Sequence, residues 1–385
     1  MIFRLFCITC LLFLSCSKSQ DPIDRETVKI GFLVSGDRTS YADAARLAVN
    51  EINTRGGLLD NRTVELVTRT NIQDALAAVQ AAQQMIRNDE VFALLGPNRS
   101  THAVEVGPIA QRAQVPMITT TATNPSVTRA GDFVFMAAFT DQFQGAVLAR
   151  FAWEELGVSS AAVLTLEGDV YTEGISMFFV SHFRELGGTV VANELYAHGD
   201  TVFAEQLGRI SEATPEAFFI SGLVSDVTRV VRQTRTTPVL NPQGEPVTLL
   251  GADAWDNPVF LNAVPAEVEG SYFSGHFSAE STEQGAWEFV VAYEAAYDRT
   301  PAGGDAVSYD AVRLLSNAVE RAGSFDGEAV RDRLAATRDY RGATRIARYN
   351  DNRHPTKSAV ILTVKGGERR FFREIEPVGL GESVR

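Results

Sequence analysis

The sequence predicts an α/β fold of two similar, doubly wound lobes on parallel sheets, and three features carry that expectation. The chain has 385 residues, too many for one ordinary core and enough for two domains of comparable size. From Val28 onward, β-rich apolar runs alternate with helical segments across short connections, the pattern of βαβ units. After "FVFMAAFTD" the same rhythm starts again, which favours a second lobe over one large sheet.

Each element has its own local signal. "VKIGFLV" reads as the first strand, and "YADAARLAVNEINTRGG" as a helix with a Gly-Gly stop. "TVELVTR" is the next strand. In "QDALAAVQAAQQMIRND", Leu76, Val79, Ala82 and Ile86 share one helical face. "VFALL", the helix "THAVEVGPIAQRA" and "VPMIT" complete the first series. The second runs from the helix "QFQGAVLARFAWEELG" through the strands "SAAVLTL", "TVVANELY", "AFFIS" and "VTLLG", with helical stretches between them. Two long helical segments follow "GSYFSGHFS". The tail then changes to period-two segments, "ATRIARY", "SAVILTVKGG" and "RFFREI". No Pro-rich or Ser-rich linker separates the series, so short ordered crossings should join the lobes.

Charge and cysteines narrow the function. A formal net charge of -13 without a Lys/Arg cluster argues against a nucleic-acid partner. The start, "MIFRLFCITCLLFLSC", has one early Arg and a ten-residue apolar stretch, too short to span a membrane and suited to a secretory signal. "FLSC" resembles a bacterial lipobox, with Cys16 as the lipidated first mature residue; a plain signal peptide is the alternative. Cys7, Cys10 and Cys16 are the only cysteines, so processing would leave neither a disulfide framework nor a Cys-based metal site.

Enzyme signatures are absent: no G-x-x-x-x-G-K-[ST], no G-x-G-x-x-G after the first strand, no G-x-S-x-G. The five histidines have no helical i, i+4 partner among themselves, and each reads as a surface or loop residue rather than a zinc ligand. What remains are strand ends. "LLGPNRST" runs from a strand into a helix beginning near Ser100, and "VPMITTTATNP" ends the neighbouring strand on the same rim. Ligands of open α/β sheets bind outside the carboxyl ends of strands, and a helix N-terminus favours an anion. Ser100 alone could be a simple cap, and Thr121 and Thr123 alone could bond locally to the backbone. Together on one rim they read as a carboxylate cradle.

At these motifs the chain resembles the type I periplasmic binding proteins of the leucine/isoleucine/valine branch, the substrate-binding components of amino-acid ABC transporters. "VKIGFLVSG", "AVNEINTRGGL", "LLGPNRS", "MITTTATNP", "YTEG", "LLGADAWDNPVF" and "EGSYFSGHF" carry the resemblance in order, over roughly Val28 to Ile375. It implies ligand contacts from Ser100, Thr121 and Thr123 to an α-carboxylate and α-amine. Tyr171 would be a cleft tyrosine of the second lobe, Asp253 the acid that meets the α-ammonium, and Trp255 a wall of the side-chain pocket, with plain core the alternative for Trp255. Leu223 stands where the family has a cleft tyrosine, and the loop "SGDRTS" is unusually short. Both departures touch the pocket, so the ligand need not be leucine, isoleucine or valine.

The resemblance implies a hinge of three crossings, no cofactor and no metal. It gives a signal peptide at 1–15, a lipidated tether at 16–26, lobe 1 at 27–141 and 276–340, lobe 2 at 142–275 and 341–378, and a tail at 379–385. A monomer anchored by lipid in the periplasm or at the cell surface would close on an amino acid, apolar or related, and present it to a membrane permease. A sensor reporting occupancy to a regulator is the alternative. An enzyme using Asp253 and Tyr171 as acid and base lacks a nucleophile.

Overall fold

The computed structural model describes residues 26–377 except Asp37, Asp60 and Arg235. The expected signal peptide, Cys16 and the C-terminal tail lie outside the described residues. Lobe 1 opens with β1 (Thr27–Ser35), α1 (Thr39–Thr54), β2 (Thr63–Ile72), α2 (Ala75–Gln84), β3 (Ala93–Leu95), α3 (Ser100–Ala113), β4 (Met117–Thr119) and β5 (Val134–Met136). These strands form a parallel five-stranded sheet in the order β2-β1-β3-β4-β5. β1 has β2 on one side and β3 on the other, so the winding reverses between β1 and β3.

Lobe 2 contains α4 (Asp141–Arg150), β6 (Ser160–Leu166), α5 (Val170–Glu185), β7 (Thr189–Tyr196), α6 (Ala204–Glu212) and β8 (Ala217–Ser221). It continues with α7 (Val224–Gln233), β9 (Thr248–Gly251), α8 (Pro258–Ala263) and β10 (Tyr272–Gly275). The chain returns to lobe 1 with α9 (Gln284–Tyr297), α10 (Gly303–Ala322) and α11 (Gly327–Ala335). A three-stranded sheet follows, of β11 (Arg338–Arg341), β12 (Arg345–Tyr349) and β13 (Pro355–Thr356). Finally β14 (Ala359–Lys365) and β15 (Glu368–Ile375) add antiparallel strands to the seven-stranded sheet of lobe 2, ordered β15-β14-β10-β9-β8-β6-β7. Its winding reverses between β6 and β8.

Each parallel sheet is covered on both faces, which explains strands such as "AFFIS" with every residue buried. α1, α9 and α10 pack on one face of the lobe 1 sheet around Phe32, Phe135 and Phe289. α2 and α3 cover the other face around Leu94, Val106 and Met117. Ile346 and Tyr349 on β12 also belong to the first of these cores. The stretch after 340 therefore stays with lobe 1, and the third crossing falls at Lys357–Ser358 rather than at 341. Period-two patterning shows a strand but not the sheet that will receive it.

The crossings are tied to their surroundings. Lys357 is buried and donates to Ala137 O on the first crossing (3.1 Å) and to Thr344 Oγ1 (2.9 Å). Burial lowers its ammonium to about 8, while Asp310 pulls it upward. Asp310, also buried, accepts from the Ala343 and Thr344 amides, Thr344 Oγ1 and Tyr340 Oη.

Candidate ligand-binding site

The two sheets face each other across a cleft with their carboxyl ends, and both winding reversals open into it. On lobe 1, the loop after β1 carries Arg38 and the turn after β3 carries Asn98, Arg99 and Ser100. Asn98 joins these loops: its Oδ1 accepts from the Ser35 amide at 2.6 Å. Gly96 makes the turn possible, because its φ of +74° suits glycine and a Cβ there would meet Leu33 O at 2.2 Å. Ser100 begins α3, where the first amides have no partner within the helix. Its Oγ accepts from the Asn124 amide (3.2 Å), and Thr121 Oγ1 donates to Asn98 O (3.1 Å).

Lobe 2 answers with the loops after β6, β8 and β9. Asp169 caps α5, accepting from the Tyr171 and Thr172 amides. A short 3-10 turn over Asp253–Trp255 follows β9. Tyr171 Oη donates to Asp253 Oδ1 at 2.8 Å, Gln144 Nε2 donates to the same oxygen at 2.9 Å, and His276 Nε2 lies 3.2 Å from Oδ2. Burial would push the Asp253 carboxyl up, but His276, Gln144 and Tyr171 outweigh it and hold it below the usual value. These three donors leave Asp253 about one of the roughly four acceptor positions of a carboxylate.

The lobes stand close together. Arg99 reaches Asp169 at 3.2 Å, and Thr101 Oγ1 donates to Asp169 Oδ2 at 2.9 Å while accepting from the Val170 amide at 3.2 Å. Asn124 Nδ2 donates to Val170 O at 2.8 Å. Between them remains a cavity of about 30 Å³, lined on lobe 1 by Arg38, Asn98, Arg99, Ser100 and Thr121. Lobe 2 contributes Asp169, Tyr171, Leu223, Asp253 and Ala254. That space suits a water or two rather than an amino acid, so entry requires the lobes to part. A larger cavity of about 530 Å³ beside the second and third crossings includes neither Ser100 nor Thr121.

Beneath the cleft sits a group of buried, unpaired oxygens. Both carboxyl oxygens of Asp141, the hydroxyl of Thr123 and Oε1 of Gln144 are buried without a hydrogen-bond partner. Asp141 and Thr123 are held together by the bond from Asp141 N to Thr123 O (2.8 Å), and Gln144 lies one turn along α4. Burial, with Asp253 and Asp169 adding to it, pushes the Asp141 carboxyl well above the usual range, although Thr123 and Asn124 pull the other way. Unpaired buried polar groups are rare enough in folded proteins to need a reason.

The sequence model of the family described as periplasmic binding protein matches residues 27–368. The chain belongs to that family. Among solved members, the leucine-binding protein of Thermotoga maritima is 32% identical, with a TM-score of 0.84 over 91% of this chain and 99% of that one. The branched-chain amino-acid transporter substrate-binding protein of Streptococcus pneumoniae, solved with isoleucine, is 27% identical, with a TM-score of 0.82 over 91% and 99% of the two chains. A Leu/Ile/Val-binding protein of Rhizobium johnstonii is 26% identical over 80% of this chain and 83% of its own length.

Within this family frame, Ser100, Thr121, Tyr171 and Asp253 line one cavity, and Thr123 lies among the buried unpaired oxygens beneath it. Trp255 does not line the cavity. It is 1% exposed, turned back into the core of lobe 2 against Phe260 and Phe273, and seated over Gly251, where a Cβ would meet its ring at 2.2 Å. His102, buried on α3, differs from expectation, whereas His276 is a loop residue as expected but a buried one. His276 is buried on Asp253, and His102 is buried with Nδ1 2.7 Å from Ser35 Oγ. The helical spacing test that excluded zinc could not detect a histidine serving a carboxylate in another element. Sequence reasoning also passed over Asp141 and Gln144, which only the packing of α4 against the cleft brings into view. Among the described residues, no group of three or more His, Cys, Asp or Glu could hold a metal, and no helix is long and apolar enough to cross a membrane.

Proposed function

We propose that this protein is the extracytoplasmic substrate-binding component of an ABC transporter and captures an amino acid between its lobes. The observation that carries the reading is the set of unpaired acceptors of Asp141 and Gln144, with the Thr123 hydroxyl among them, beside the last open position of Asp253. Acceptors without donors call for a cation with several hydrogens, and an α-ammonium supplies three. The ligand's carboxylate takes the Ser100 hydroxyl, the backbone of Thr121, whose own hydroxyl is spent on Asn98 O, and the free amides at the start of α3. Docking on lobe 1 comes first, and Tyr171 and Asp253 then close from lobe 2. Because the ligand touches both lobes only when they are together, it shifts the population toward closure. No step of this cycle changes the ligand covalently.

Relatives named for leucine, isoleucine and valine favour transport over signalling, with a membrane permease as the partner. The protein acts as a monomer, held at a bacterial membrane by lipid on Cys16. Several acyl chains anchor firmly where a single one does not, so Cys16→Ser should release soluble protein or leave the precursor uncut. Unchanged membrane fractionation would reject the anchor. For capture itself, a thermal-shift screen compares amino acids with their deaminated analogues. A ligand at 100 times its dissociation constant adds about 2.7 kcal/mol. Analogues that bind as tightly as the parent amino acids would refute the ammonium reading.

A further inference from the structure

We infer that the ligand is an amino acid with an acidic side chain, and that Arg38 holds the second carboxylate. This rests on the reading that an amino acid is captured in the cleft. The cavity between the lobes is unlike a pocket for a branched aliphatic side chain. Leu223 and Ala254 are its only apolar lining residues, and the rest of its wall is charged or hydrogen-bonding. Binding a leucine side chain there would desolvate those groups and give them no partner, which is costly.

The wall is instead short of anions at one place. Arg38 follows the end of β1, at the winding reversal of lobe 1, and lines the cavity. Its guanidinium donates to Tyr41 Oη at 2.6 Å, and among the described residues it forms no ion pair. A guanidinium presents five donors in a planar fork suited to a carboxylate, so most of its capacity is unused. Beside it, Arg99 spends one nitrogen on Asp169, while its Nε is buried with no acceptor. Asp169 is filled, and Asp253, whose charge reaches Arg38 without an ion pair, keeps only the one position assigned to the ligand's ammonium. Asp169 accepts from Arg99, Thr101 and two amides, and Asp253 from Gln144, Tyr171 and His276.

The unsatisfied groups thus fall into two kinds. Acceptors without donors gather at Asp141 and Gln144 Oε1, and unused donors gather on the Arg38 guanidinium and at Arg99 Nε. A ligand that completes both sets carries a cation at one end and an anion beyond the carboxylate already assigned to Ser100 and Thr121. An acidic amino acid meets this description; an aliphatic one leaves Arg38 without an ion pair and Arg99 Nε without an acceptor.

The test is calorimetry on the mature protein with L-glutamate, L-aspartate, L-glutamine, L-leucine and glutarate, repeated on Arg38→Gln and Arg38→Lys. An acidic amino acid should bind at least a hundredfold more tightly than leucine. Arg38→Gln should weaken it about ten- to a hundredfold, the worth of a charged hydrogen-bonded pair, and change glutamine binding far less. Arg38→Lys should recover part of the loss, because the charge survives without the fork. A melting temperature within a few degrees of the parent shows that the variants are folded. Tight leucine or isoleucine binding without acidic ligands would overturn this inference and leave amino-acid capture intact. So would acidic binding that Arg38→Gln does not alter. Glutarate binding that depends on Arg38, with no amino acid bound, would keep the anion site and refute the ammonium reading instead. Failure of every acid to bind refutes the anion site.

Discussion

Replacing Asp141 by Asn should make the protein more stable and a poorer binder. Asp141 is 0% exposed and neither oxygen has a partner. Folding must therefore either bury its charge or protonate it against a neutral solvent. Its folded carboxyl is raised above the ordinary 3.8, chiefly by burial, so the folded state binds more protons than the unfolded one above that pH. Stability from this group is fullest below about pH 3.8 and falls as pH rises toward the folded value. Asn has nearly the same shape and never ionises. It still leaves an unpaired amide, so the gain is the excess cost of a charged orphan over a neutral one, on the order of 1 kcal/mol or more. In a lobe of this size 1 kcal/mol moves the melting temperature by about 2–4 °C. Calorimetric melts of the ligand-free protein should show the variant ahead at pH 7 and level with the parent near pH 3. Amino-acid affinity should drop about ten- to a hundredfold, because a hydrogen bond to a charged group is lost. An Asn variant that melts lower at pH 7 and binds normally would show that Asp141 is an ionised structural residue, and the reasoning would fail.

Other outcomes follow from the closed geometry. Gly174 sits where a Cβ would meet Asn124 Nδ2 of lobe 1 at 2.3 Å and Asp141 Oδ2 of its own lobe at 3.2 Å. Gly174→Val should hinder closure and weaken binding at least tenfold with little loss of lobe 2 stability. Small-angle scattering with saturating ligand should then report the open form, and compaction equal to the parent's would reject the clash. His102 is held neutral, at about 4, by burial and by the nearby Arg99. The unfolded chain therefore takes up a proton first, and stability should fall as pH drops from about 6.5 toward 4. His102→Gln should flatten that slope in denaturant titrations, and an unchanged slope would point to another group.

Much of the fold was legible because apolar runs of strand length are unambiguous when both faces are covered. "SAAVLTL" and "AFFIS" became β6 and β8 with the same boundaries, and the half-exposed edge strand "TVVANELY" became β7 on its β-branched residues and alternation instead. Shorter or more polar elements escaped: α11, "GEAVRDRLA", buries only Val330 and Leu334 and carries little periodic signal. The lobe 1 rim was visible as hydroxyls after a strand, since strand ends have a fixed place in such sheets. The fate of Asp253 and Trp255 was not visible. Two residues apart in one turn, they point to opposite sides, and only the bare Gly251 beneath the indole shows which one enters the core. The partners of Asp253 come from α4, α5 and the second crossing, at separations no local pattern encodes.

Lys357 gives the hinge a mechanical character. Three ribbons running side by side between two bodies could each bend, twist or slide, and the bodies could then meet in many relative poses. One ammonium spans from the third ribbon to the first at Ala137 and to the small sheet at Thr344. Tied in this way, the first and third ribbons cannot slide past one another without breaking these two bonds. Parting of the lobes is then carried by bending of these two ribbons together rather than by one shearing past the other.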